Sequence, residues 1–148
     1  MIPKVKEAEG AVMRITLPRD FAKIRAVSGR VRRFLLKHRC SEQTRADIEL
    51  ALVEACNNAI QHAPSEGAPQ PVIVEVWIGR TEIELRVIDH GPGFSWPGEI
   101  ELPDPEKETG RGLYLIRRVM DSVRYERGAG KNALVLRRKR RRTLANGC

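Results

Sequence analysis

The chain has 148 residues, 41% hydrophobic and 31% charged, which describes one globular domain with a buried core rather than a disordered chain. No apolar run approaches the roughly 20 residues of a membrane span. The start, MIPKVKEAEG, lacks a signal peptide's apolar region, so the expected location is the cytoplasm.

Residues 11–17 (AVMRITL) alternate apolar and polar and predict a strand, which Pro18 ends. Residues 19–38 place Phe21, Ile24, Val27, Val31, Phe34 and Leu35 at helical spacing. Ser41 is positioned to cap a second helix running through DIELALVEACNNAIQHA to Pro64. After a Ser-, Gly- and Pro-rich loop at 64–71, residues 72–78 and 82–88 predict two strands joined by a short turn. An irregular stretch follows DHGPGF, and the pattern of Leu113, Ile116, Val119 and Met120 then opens a third helix. SVRYER and NALVLR predict two final strands. Sequential strands with short turns and three helices predict a two-layer α/β sandwich: a mixed, mostly antiparallel sheet with the helices on one face.

The net charge of +8 is concentrated. Six of the 27 Lys and Arg lie in RRKRRR at 137–142, leaving 21 basic residues against 19 acidic ones. The expected organisation is a single domain over 1–138 with a solvated basic tail at 139–148; nucleic-acid contact by the tail is the lesser alternative. Cys40, Cys56 and Cys148 show neither metal-site spacing nor a disulfide framework and read as reduced thiols.

Three clusters could carry chemistry. Glu54, Asn58 and His62 sit four residues apart on one stripe of the second helix; a carboxylate beside an amide oxygen suits magnesium, although a plain polar face has the same pattern. At VIDHGPGF, Asp89 ends a strand and Gly91 and Gly93 allow a sharp turn or close approach of a ligand. The Asp89 carboxylate suits an exocyclic amine such as adenine's, and a simple tight turn is the equal alternative. In TGRGL, Gly110 and Gly112 stand at a helix start, where free N–H groups and the helix dipole favour anions. Thr109 is placed to cap that helix and Arg111 to add charge; a flexible hinge is the alternative.

Together, ELxxxExxxN, DxGxGF and GxG in this order, the last two separated by residues 94–109, resemble the N box and two glycine boxes of the GHKL ATPase superfamily. VEACNNAIQHA and GRGLYLIRRVMDSVRYE are most similar to the anti-sigma factor serine/threonine kinases of the RsbW and SpoIIAB type. A sensor histidine kinase would need a helical hairpin upstream of residue 11, and gyrase, Hsp90 and MutL add further domains. The resemblance implies ATP and magnesium as cofactors, with Asn58 as the metal ligand. It implies Asp89, Gly91 and Gly93 at the adenine, and residues 94–109 as a lid. Thr109, Gly110, Arg111, Gly112 and Leu113 would lie at the phosphates, and Glu54 would be general base toward a partner's serine. It further implies a homodimer that sequesters a sigma factor and phosphorylates a STAS-type anti-anti-sigma antagonist. The competing expectation is a nucleotide-binding module that sequesters its partner without phosphotransfer.

Overall fold

The computed structural model describes residues 10–61, 70–91, 111–128 and 130–140. It contains β1 (Ala11–Leu17), α1 (Ile24–Lys37), α2 (Glu42–Gln61), β2 (Val72–Ile78), β3 (Glu82–Asp89), α3 (Arg111–Val119), β4 (Ser122–Gly128) and β5 (Lys131–Lys139). The strands form a five-stranded sheet in the order β1-β2-β3-β5-β4. All four pairings are antiparallel, so the sheet over these residues is not mixed as expected.

The helical pattern over 19–38 resolves into two pieces. The Asp20 carboxylate accepts from Ala22 N at 2.9 Å and caps a 3₁₀ turn at Phe21–Lys23, after which α1 begins. A side-chain cap at Asp20 favours this tighter entry. Ser41 caps α2 as expected, its Oγ accepting from Thr44 N at 3.2 Å.

One face of the sheet carries the core. Val72, Val74, Val76 and Ile78 of β2, Ile83, Leu85 and Val87 of β3, and Leu134 and Leu136 of β5 point to the helices. They meet Val31 and Leu35 of α1, Ile48, Leu52 and Cys56 of α2, and Ile116 of α3. The helices therefore cover this face, with the period-2 pattern of the strands set against the 3.6-residue period of the helices. Burial pushes the Cys56 thiol up to about 12, which leaves it a neutral, unreactive core residue.

The opposite face is also partly closed. Glu84 and Arg86 are only 4% and 2% exposed. Arg86 Nε pairs with Glu84 Oε2 at 3.2 Å, Arg137 Nε with Glu84 Oε1 at 2.8 Å, and Arg86 Nη2 with Glu126 at 3.7 Å. Buried charges in this setting need their partners.

The basic tract departs from the solvated-tail expectation. Arg137, Arg138 and Lys139 belong to β5, and strand pleating sends alternate residues to opposite faces. Arg137 joins the Glu84 network while Arg138 crosses to Asp47 of α2 at 2.9 Å. Arg140 is a clasp: Nη1 donates to Gly79 O at 2.6 Å and Nη2 to His38 O at 2.9 Å, tying the β2–β3 turn to the α1–α2 junction. Charged hydrogen bonds contribute about 1.5–3 kcal/mol each. Because Arg140 is only half-buried and water replaces part of each bond on its loss, Arg140→Ala is expected to lower unfolding stability by about 2 kcal/mol, read as a lower urea midpoint at unchanged slope. The rest of the tract lies outside the described residues.

Candidate functional site at the ends of β3, α2 and α3

Asp89 closes β3 on the helix-covered side of the sheet, and β5 runs beside it in the register Asp89↔Asn132. The chain turns immediately after the strand because Gly91 N donates to Asp89 Oδ1 at 2.9 Å, an Asx-type turn. Asn132 Nδ2 donates to the same Oδ1 at 3.1 Å and to Gly91 O at 2.7 Å. Asn132 is 3% exposed, so its amide is committed to this turn. Both bonds fall on Oδ1, and among the described residues no donor reaches Oδ2. The half-buried carboxylate thus presents one fixed, acceptor-only oxygen at the strand end.

Glu54 and Asn58 are half-buried on α2, one turn apart, at the border of its buried stripe. α2 packs against both β3 and α3. At α3 the approach is close. A Cβ built on Gly112 would stand 2.9 Å from Glu54 Oε2. Glycine at the second residue of α3 therefore answers to a neighbour within the chain, namely the Glu54 carboxylate. Leu113 is half-buried and packs on the core, anchoring that first turn.

The structure thus brings together two pairs of expected site residues: Asp89 with Gly91, and Glu54 with Gly112. It adds Asn132, which sequence reasoning missed. Arg111 begins α3 by its backbone, and its side chain lies outside the description. Gly93, Thr109, Gly110, the lid at 94–109 and His62 lie outside the described residues.

The donor set bears on magnesium. Among the described residues no three His, Cys, Asp or Glu side chains cluster for a metal. The Asn58 amide oxygen is a hard donor, and magnesium commonly takes one or two protein oxygens and completes its shell with phosphates and water. Asn58 fits that mode.

A five-stranded sheet is thus layered under three helices, with an acceptor carboxylate at a strand end and a second carboxylate beside a helix start. The RsbU and RsbW domains of Rv1364c from Mycobacterium tuberculosis share this fold, with a TM-score of 0.66 at 22% identity over 87% of this chain and 32% of that one. Acinetobacter baumannii histidine kinase AdeS shares it more distantly, with a TM-score of 0.51 at 14% identity over 86% of this chain and 67% of that one. The model of the histidine kinase-like ATPase domain matches residues 17–138, and the chain belongs to that family. It is 30% identical over 106 residues to the serine/threonine-protein kinase BtrW of Bordetella bronchiseptica, covering 68% of this chain and 75% of that protein. It is 31% identical over 93 residues to the serine-protein kinase RsbW of Bacillus subtilis, covering 57% of this chain and 58% of RsbW. Among the described residues no helix is long and apolar enough to cross a membrane.

Proposed function

We propose that this domain is an ATP-dependent serine/threonine protein kinase of the anti-sigma type. It transfers the γ-phosphoryl group of ATP to a serine or threonine of an anti-anti-sigma (STAS-type) protein and sequesters a sigma factor. Membership of the histidine kinase-like ATPase family and similarity to RsbW and BtrW support this reading. The observation that carries it is the meeting of Glu54 with the first turn of α3 at Gly112, because a helix start gathers phosphates and phosphoryl transfer needs little beyond positioning and charge.

In this reading, Asp89 Oδ2 accepts a hydrogen bond from the adenine amine, and Gly91 and Gly93 shape the floor beneath the base. The first turn of α3, with Thr109, Gly110, Arg111, Gly112 and Leu113, receives the phosphates, and residues 94–109 serve as the lid. Asn58 would hold magnesium, which would supply neutralisation of the phosphate charge. Glu54 orients the partner's hydroxyl and accepts its proton as the oxygen bonds to the γ-phosphorus and the bond from that phosphorus to ADP breaks, ADP leaving. A phosphate on the antagonist adds a charge of about −1.5 to −2 and changes its affinity for the kinase, which switches partners and hence transcription. The family resemblance carries the remaining parts of the reading: a homodimer acting in the cytoplasm.

The test offers radiolabelled Mg-ATP and a purified STAS-type antagonist to wild type. Label is expected on the antagonist. Binding of ATP without label transfer would instead select the sequestering, non-catalytic module.

A further inference from the structure

Among the described residues, none packs over the outward face of α1. Ile24, Val27, Ser28, Val31 and Leu35 are buried; Arg25, Arg30, Arg33 and Lys37 are exposed on the other side, continuing Lys23 of the preceding turn. α1 contains no acidic residue. Among the described residues none of these five cations forms an ion pair, whereas Arg32 reaches Glu49 of α2 at 3.5 Å. Glu49 also accepts from Ser28 Oγ at 3.0 Å, and Asp20 is engaged as a cap, so the nearby acids among the described residues leave the patch strongly positive.

Gly29 lies in the middle of this face, one turn from both Arg25 and Arg33. Glycine is the poorest helix former after proline. Among the described residues nothing asks for it: an added Cβ would meet only the flexible tip of Arg33, at 3.5 Å. Gly112 excludes a Cβ because of Glu54; Gly29 does not exclude one. Leu36 and Phe21, each 56% exposed, flank the basic stretch with apolar surface.

We propose that this face is a docking surface for an acidic amphipathic helix of a partner protein. That helix crosses α1 with its backbone close to Gly29, its carboxylates between the arginines and its apolar residues on Leu36 and Phe21. Helix pairs approach to 8–10 Å depending on the side chains at the crossing, and a glycine there permits the shorter distance. A second copy of the chain does not fit, because a twofold contact would set cations against cations. A nucleic acid has use for the arginines but none for a bare backbone flanked by Leu36 and Phe21. The proposal is independent of the nucleotide chemistry, and its failure leaves the ATP-site reading untouched.

The test uses the full chain and fluorescence anisotropy with an amphipathic Leu/Glu peptide of about 20 residues, long enough to form a helix. The same peptide with Lys for Glu and a short DNA duplex serve as controls. Wild type is expected to bind the Leu/Glu peptide, less tightly as salt rises, and to ignore the Lys version. Gly29→Ala is expected to move the melting temperature up by a few degrees and to weaken peptide binding about tenfold. The double variant Arg25→Glu/Arg33→Glu should abolish binding. The proposal is overturned if wild type does not bind the Leu/Glu peptide, if Gly29→Ala binds as well as wild type or melts lower, or if the duplex binds more tightly than the peptide.

Discussion

Replacing Glu54 with Gln is expected to lower phosphoryl transfer to the antagonist by about 10²–10⁴-fold, the usual contribution of a positioned general base. Gln keeps the size and hydrogen-bonding reach of Glu but removes the proton acceptor. Affinity for Mg-ATP should change by no more than about twofold, because the lost interaction belongs to the transition state. Gly112→Ala should act in the same direction through geometry. Its new Cβ would meet Glu54 Oε2 at 2.9 Å, and the carboxylate, being the free end of a flexible side chain, would move while the fold stays. A displaced base slows transfer more than it weakens nucleotide binding. Single-turnover transfer rates, set beside nucleotide affinities for both variants, check this. Wild-type transfer by Glu54→Gln would remove Glu54 from the chemistry.

The second large effect is expected at Asp89, the proposed adenine contact. Asp89→Asn replaces a charged acceptor with an amide, half of which donates. Hydrogen bonds to charged groups contribute about 1.5–3 kcal/mol, so Mg-ATP affinity should fall by roughly 10–150-fold. Asn132→Ala should produce a smaller loss, about tenfold, by releasing Asp89 Oδ1 and Gly91 O from the amide that holds both. A role limited to fold stability would lower affinity for every nucleotide alike. Positioning of Asp89 predicts instead that ATP suffers and the triphosphate of purine riboside, which lacks the 6-amine, does not. Equilibrium titration of both nucleotides against each variant separates these outcomes.

Local pattern made most of the elements legible. The alternation of VIVEVWI places β2 at the expected 72–78, and Ser41 marks the start of α2. Long-range pairing was not legible in the same way. β5 inserts between β3 and β4, and only that register sets Asn132 opposite Asp89. In sequence, Asn132 is a lone polar residue at the head of an apolar run, a weak signal until the strand beside it is known. Gly112 could be recognised as a clearance, but the atom requiring it belongs to a helix more than 50 residues earlier. The basic tract misled because charge runs are usually solvated. In β5 its residues alternate between Glu84 on one face and Asp47 on the other, and both acids come from distant elements.

The central claim is that this domain binds ATP with the adenine amine on Asp89. Isothermal titration of wild type with Mg-ATP and, separately, with the magnesium complex of purine riboside triphosphate tests it most directly. The prediction is saturable binding of ATP, tighter than that of the amine-free nucleotide by about tenfold or more, as expected for one hydrogen bond to a charged acceptor. Equal affinity for the two nucleotides, or no binding of ATP at millimolar concentration, would contradict it.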